Sequence, residues 1–266
     1  MQHYQELKLW PNEAPFAEPG DEKLVEHFAN CDNGINRLTD IARPSITYYP
    51  TSGKGPHPSV LVCPGGGYSI LAWNHEGQDI CSFFNTIGFT AFLLKYRCPG
   101  KRTAAHADAV RAMRLIRHNA AEFNIDPAKV GIMGFSAGAH LAATVSAPHN
   151  GTPYQIIDDA DALPFRPNFT ALIYPAYLAD QSLTLAPEFH IDANVPPTFL
   201  LQAENDSIKV ENSIAWFMAL KKAGVKAEMH IYPEGAHGYG ILRTGNPIAD
   251  WPALASKWFR QQAGIL

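Results

Sequence analysis

Three observations place this chain in the α/β class, as a three-layer sandwich around a mostly parallel sheet. Short apolar runs of the type buried on both faces recur along it: SVLVC at Ser59 to Cys63, FTAFLLK from Phe89, FTALIY at Phe169 to Tyr174 and TFLL at Thr198 to Leu201. Amphipathic helical segments alternate with these runs, which calls for a sheet covered on both faces. A sharp strand-to-helix turn falls at Val130 to Ala143, VGIMGFSAGAHLAA. With 266 residues, 46% hydrophobic and 17% charged, the chain can bury a large core and reads as one domain from residue 1 to 266.

In order, the first 45 or so residues are proline-rich and polar and read as an edge and a wrap, with short strands expected at Leu7 to Trp10 and Ile46 to Tyr49. The run SVLVC ends in Pro64-Gly65-Gly66-Gly67-Tyr68, a core strand emptying into a glycine loop. Gly77 to Ile87 suits a helix with Ile80, Phe83, Phe84 and Ile87 on one face. Ala104 to Phe123 is a second, with Arg111, Arg114 and Arg117 on a face expected to be solvated and Asp108 expected to pair with Arg111 or Arg114. A helix from Val210 to Gly224, a strand from Ala227 to Tyr232 and a helix from Asp250 to Gln262 complete the chain.

The net charge is −4, and no basic run supplies an electrostatic footprint for nucleic acid or an anionic membrane. No apolar stretch approaches a membrane span. The start, MQHYQELKLWPNEAPF, lacks the basic and apolar regions of a signal peptide, so the expected location is cytoplasmic, or exported if a leader has been removed. Cys31, Cys63, Cys81 and Cys98 show no C-x-x-C spacing and are expected to be buried free thiols. Eleven histidines include no H-E-x-x-H, and the neighbours His75-Glu76 cannot by themselves define a site, so neither metal nor cofactor is expected.

The chemistry centres on Gly134-Phe135-Ser136-Ala137-Gly138. A serine on a strained strand-to-helix turn needs small neighbours so that strand and helix can close beneath it, and Gly134 and Gly138 fill those places. An acyl-transfer serine also needs a base, a carboxylate to orient the base, and donors for an oxyanion. In chain order after the serine, TFLLQAEND ends at Asp206, with Glu204 as its rival, and AEMHIYPEGAHGYG carries His237 among Gly235, Gly238 and Gly240. His230 lies within the strand itself, and His140 is one helical turn from Ser136, where packing is expected rather than catalysis. The backbone N–H groups of Gly66, Gly67 and Ala137 are the expected oxyanion donors.

Taken together, CPGGGY at Cys63 to Tyr68, KYR at Lys95 to Arg97, GFSAGAHLA at Gly134 to Ala142, YPAY at Tyr174 to Tyr177, ENDSIKVENS at Glu204 to Ser213 and GAHGYG at Gly235 to Gly240 resemble one family. It is the group of compact α/β-hydrolase esterases that includes carbohydrate acetylesterases, acetylxylan-esterase-like enzymes and some feruloyl-esterase domains, related to the hormone-sensitive lipases. The resemblance runs from about Leu38 onward and implies an α/β-hydrolase fold with Ser136, Asp206 and His237 as the triad. The chain departs from the hormone-sensitive lipase pattern at Pro64, where the HGGG motif has its histidine. Between Tyr174 and Thr198 there is too little chain for a large helical cap, which suits an open cleft and a bulky alcohol such as a sugar chain. Tyr68, Trp73 and Tyr177 are candidates to line that cleft, with core packing the competing role. The expected activity is a serine carboxylesterase removing short acyl groups, acetyl from carbohydrates such as xylan first. The partners expected are a small-molecule or carbohydrate ester, with no nucleic acid and no membrane. The alternatives are a feruloyl or aryl-ester hydrolase, a peptidase of the prolyl-oligopeptidase kind, and a binding module without activity, which would have no use for serine, acid, histidine and glycine loop together.

Overall fold

The computed structural model describes residues 5–148 and 151–265. Its strands are β1 (Gln5–Lys8), β2 (His27–Phe28), β3 (Arg37–Thr39), β4 (Ser45–Tyr49), β5 (His57–Cys63), β6 (Leu71–Ala72), β7 (Thr90–Lys95), β8 (Ile125–Phe135), β9 (Thr170–Ile173), β10 (Thr198–Ala203) and β11 (Ala227–Tyr232). Its α-helices are α1 (Asp79–Thr86), α2 (Arg102–His118), α3 (Ala137–Ser146), α4 (Glu211–Lys222) and α5 (Trp251–Ala263). Eight strands form one sheet in the order β1-β4-β7-β5-β8-β9-β10-β11, and β2, β3 and β6 form a small antiparallel sheet that the sequence reading does not anticipate. Only the pairs β1–β4 and β4–β7 of the large sheet are antiparallel; from β7 to β11 it is parallel.

The apolar runs are continuous because alternate residues serve opposite faces of the sheet. Leu61, Phe92, Ile132, Leu172 and Leu200 point into a core closed by α2, α3 and α4 through Val110, Met113, Leu141 and Trp216. Val62, Leu93, Met133, Ile173 and Leu201 point into a second core closed by α1 and α5 through Ile80, Phe84, Trp251 and Phe259. The chain leaves β5 toward α1 on one face and β8 toward α3 on the other, so the carboxyl ends of these adjacent strands diverge and leave a crevice between them.

The first strand occupies Gln5–Lys8 rather than Leu7 to Trp10, because Leu9 and Trp10 turn inward and are buried. The second helix ends at His118, short of Phe123. Its arginine face is not solvated. Arg111, Arg114 and Arg117 are buried, since the segments around Trp10 and Asp158 lie across them as a further layer of chain. Arg111 bonds the Leu9 carbonyl, Asp158 and Asp161; Arg114 bonds Thr152 and the Leu163 carbonyl; Arg117 bonds the carbonyls of Pro127, Pro164 and Arg166. Asp108, fully buried, pairs not with Arg111 or Arg114 but with Arg97 at 2.8 Å, and accepts from the Trp10 indole at 2.8 Å. Of the four free cysteines, Cys63, Cys81 and Cys98 are buried as expected, while Cys31 is exposed in the N-terminal wrap. Among the described residues, no helix is long and apolar enough to cross a membrane.

Candidate active site

Each element of the expected constellation lies at the carboxyl edge of a parallel strand, where successive loops face one another across the crevice. The glycine loop follows β5, Ser136 follows β8, Asp206 follows β10 and His237 follows β11. Ser136 sits at φ 51° and ψ −117°, in the left-handed half of conformational space. The turn is tight enough that a Cβ on Gly138 would fall on the Cys63 and Pro64 carbonyl oxygens, and one on Gly134 would fall on the Gly138 carbonyl. Small residues there let β8 and α3 close under the serine, as the motif requires. Tyr68, Tyr174, Tyr177 and Ala236, all in loops of the same edge, also have positive φ. Such conformations cost free energy and persist where surrounding contacts hold them, most often at functional sites.

The three side chains meet. His237 Nε2 lies 2.9 Å from Ser136 Oγ, and His237 Nδ1 lies 2.9 Å from Asp206 Oδ2. A carboxylate only accepts, so Nδ1–H donates to Asp206 and Nε2 is left to accept the serine proton. The Asp206 side chain is wholly buried, and its other oxygen accepts the Ile208 N–H at 2.7 Å, which fixes its direction. Glu204 is exposed, with its own N–H donated to the Tyr232 carbonyl at 2.7 Å. His237 is partly exposed, whereas Ser136 is buried.

The N–H groups of Gly66, Gly67 and Ala137 have no acceptor among the described residues, and all three belong to loops flanking Ser136. Gly65, by contrast, donates to Glu76 Oε2 at 2.7 Å. The positive φ of Gly66, 130°, carries the loop across the end of β5, and a Cβ there would strike the Ile70 carbonyl. Free donors in the loops flanking a serine with its base in place are what a tetrahedral oxyanion would require.

His140 is buried, with its Nδ1 2.7 Å from the Tyr68 hydroxyl and Nε2 3.1 Å from Glu188, and burial lowers its affinity for a proton. It is a packing residue, as expected. His230 lies on the edge strand β11, 2.8 Å from Glu228, well apart from the serine loop. Of the three aromatics, Tyr68 is buried against His140 and Tyr177, Trp73 is wedged between the two cores, and Tyr177 is 41% exposed with the Arg102 guanidinium over its ring. Trp73 is half-buried, and Tyr177 is the most exposed of the three. A cavity of about 440 Å³ opens beside it, lined by Gly67, Tyr68, Ser69, Gly100 and Arg102.

Two features escape sequence reading. Asn205 Oδ1 accepts the Gly235 and Ala236 N–H groups, at 3.1 and 2.9 Å, which ties the acid loop to the histidine loop. Glu76, considered in the sequence only as a metal neighbour of His75, is buried behind the glycine loop. An Asn beside the acid and a Glu within reach of a Gly-rich loop were the available signals, and neither has a spacing rule.

The BD-FAE family matches residues 47–162, which contain the glycine loop and the serine turn. An acetylxylan esterase of Xylanibacter ruminicola is 31% identical over 78% of this chain and 46% of its own length. Endo-1,4-beta-xylanase B of Butyrivibrio fibrisolvens is 32% identical over 68% of this chain and 32% of its own length. The chain thus spans about half or less of the length of these curated relatives. The crystal structure of an acetyl ester-xyloside bifunctional hydrolase from Caldicellulosiruptor lactoaceticus superposes with a TM-score of 0.80 at 31% identity, covering 98% of this chain and 97% of the other. An end-to-end match at that identity, on the sheet order and loop placement described above, means that this chain belongs to the compact esterases of the α/β-hydrolase fold.

Proposed function

We propose that this protein is a serine esterase that hydrolyses short-chain acyl esters, acetyl groups on carbohydrates such as xylan foremost. The observation that carries the proposal is the unbroken path of hydrogen bonds from Asp206 through His237 to Ser136 Oγ, with the free N–H groups of Gly66, Gly67 and Ala137 alongside. His237 takes the serine proton as Oγ attacks the ester carbonyl, and the three N–H groups receive the oxyanion. The imidazolium, held by Asp206, then protonates the departing alcohol. Water, deprotonated by the same imidazole, releases the acid and frees the serine.

The carbohydrate side of the reading is supported by the names of the relatives and by the chain between β9 and β10. Residues 174–197 hold only turns, bends and the isolated bridges Ala179–Leu185 and Pro148–Phe189, with no helix among them to roof the crevice. An unroofed alcohol side admits a polymer. Release of acetate from acetylated xylan and from p-nitrophenyl acetate tests the proposal: the native protein should liberate acetate from both, and Ser136→Ala should lose several orders of magnitude in rate while keeping its fold. A folded Ser136→Ala variant that retained most of its activity would remove the serine mechanism. Methyl ferulate turned over tenfold faster than either acetyl ester would move the assignment to an aryl-ester hydrolase.

A further inference from the structure

We infer that Glu76 is a positioning residue for this reaction, locking the glycine loop and the histidine loop into one mutual register from beneath. The inference rests on the esterase reading above. Glu76 lies in a π-helical turn, Asn74–Gln78, that precedes α1, and its side chain is 4% exposed. Oε2 accepts the Gly65 N–H at 2.7 Å, immediately before the two free donors of Gly66 and Gly67. Oε1 accepts the Tyr174 hydroxyl at 2.7 Å. That hydroxyl oxygen in turn accepts the Gly240 N–H at 2.9 Å, and the Tyr174 ring meets the His237 ring edge-on at 4.9 Å between centroids. One carboxylate therefore connects the loop after β5, the loop after β9 and the loop after β11.

The neighbouring residue repeats the connection. His75 Nε2 donates to the Gly238 carbonyl at 3.1 Å, and the His75 carbonyl accepts the Ile241 N–H at 3.1 Å. The segment bearing His237 is thus clamped at Gly238, Gly240 and Ile241 by two consecutive residues of one turn. A Cβ on Gly65 would stand 2.7 Å from Glu76 Oε2, so the triglycine loop is shaped to this carboxylate as well as to a substrate.

A carboxylate is what the position needs. Both partners present hydrogens, since the Gly65 N–H can only donate and the Tyr174 oxygen already accepts from Gly240. Glutamine offers one acceptor and an amide that would face one donor with another. A buried carboxylate left without partners would be costly, and both oxygens of this one are engaged by the loops it aligns.

The groups around Glu76 are His75, Tyr96, Tyr174 and Tyr239, with Asp206 and His237 beyond them. The experiment compares native protein, Glu76→Gln and Tyr174→Phe in p-nitrophenyl acetate hydrolysis at fixed pH, with circular dichroism to confirm folding. Glu76→Gln is expected to lower kcat about ten- to a hundredfold with KM within about twofold, because misaligned oxyanion donors act on the transition state alone. The drop should hold per active serine titrated, with KM unmoved, which a merely structural brace that lowered the folded fraction would not give. Tyr174→Phe keeps the Gly65 bond and cuts the bridge to Gly240; it should lower kcat with KM unmoved, and it decides the matter if Glu76→Gln does not fold. Native kcat in a folded Glu76→Gln or Tyr174→Phe variant overturns the inference, as does a loss carried by KM. Activity in the native protein together with its absence in Ser136→Ala establishes the esterase reading separately, so those outcomes bear on Glu76 alone.

Discussion

Two carboxylates stand two residues apart after β10, and only one can serve the imidazole. Asp206 is buried with both oxygens engaged, one by His237 and one by Ile208, whereas Glu204 faces solvent. Asp206→Asn should therefore reduce kcat by orders of magnitude, since the amide favours the wrong tautomer, and Glu204→Gln should stay within about twofold. Parallel kinetics on the two variants checks this, and a reversal would move the acid to Glu204. His106 gives a second test at this scale. Burial lowers its affinity for protons to a value of about 4, from an ordinary 6.5, with the neighbouring His140 lowered in the same direction. The unfolded chain takes up protons that the folded one refuses as pH falls through this window, so stability is lost on acidification, by about 2–3 kcal/mol from His106. Urea unfolding at about pH 7 and about pH 4.5 should show a smaller acid loss in His106→Leu than in the native protein; equal losses would place the acid sensitivity elsewhere.

At the scale of elements, the serine turn and the second helix are held by opposite means. The turn between β8 and α3 depends on the absence of side chains: a methyl on Gly138 would meet backbone carbonyls of the β5 end, which cannot swing aside as a side chain could. Gly138→Ala should cost roughly 1–3 kcal/mol or more and displace Ser136, seen together as a lower unfolding midpoint and a lower kcat. An alanine variant with native stability and rate would contradict the closeness of that approach. Helix α2 depends instead on long polar side chains. Arg111, 2% exposed, holds the N-terminal segment through the Leu9 carbonyl and the 158–161 turn through two carboxylates. Arg111→Met takes from buried Asp161 its closest cation and leaves it the Tyr154 hydroxyl at 2.7 Å, the Ile157 N–H at 3.0 Å and a 3.5 Å contact to Arg114, so a loss of about 3 kcal/mol is expected in denaturant titration. A loss under about 1 kcal/mol would mean that the network is neutral for stability.

For the whole molecule, the relevant feature is an unroofed crevice at the carboxyl edge of a parallel sheet, with no helix in the 174–197 connection. Without a cap there is no apolar lid to open at an oil–water surface and little wall to hold a long acyl chain. Acetyl and propionyl esters should have the highest kcat/KM, falling gradually toward octanoyl, because each methylene changes discrimination by only about 1–3 kcal/mol. Rates across a p-nitrophenyl ester series, below and above the solubility limit of the longer members, check this. A jump in rate at the emulsion boundary, or an octanoyl optimum, would count against the open short-acyl site.

The sequence by itself determined the parts whose physics is local. Continuous apolar runs mark strands buried on both faces, glycines at fixed offsets from Ser136 and His237 mark turns that side chains would block, and the order serine, acid, histidine follows the order of the strands. Those readings placed the sheet and brought Ser136, Asp206 and His237 forward as one constellation. Only the tertiary structure decided what depends on chain segments far apart. Periodicity marked the apolar stripe of α2, but whether its arginines met water turned on the Trp10 and Asp158 segments lying over them, 98 and 47 residues away from their partners Asp108 and Arg111. The small β2-β3-β6 sheet was out of reach for a similar reason, as its strands are two or three residues long and owe their pairing to the surroundings more than to any pattern of their own. Glu76 reaches Tyr174 across 98 positions, and Asn205 reaches Ala236 across 31. Hydrogen bonds of that reach leave no period and no spacing in a sequence; they exist because parallel strands set their carboxyl ends side by side, where loops remote in the chain share one edge.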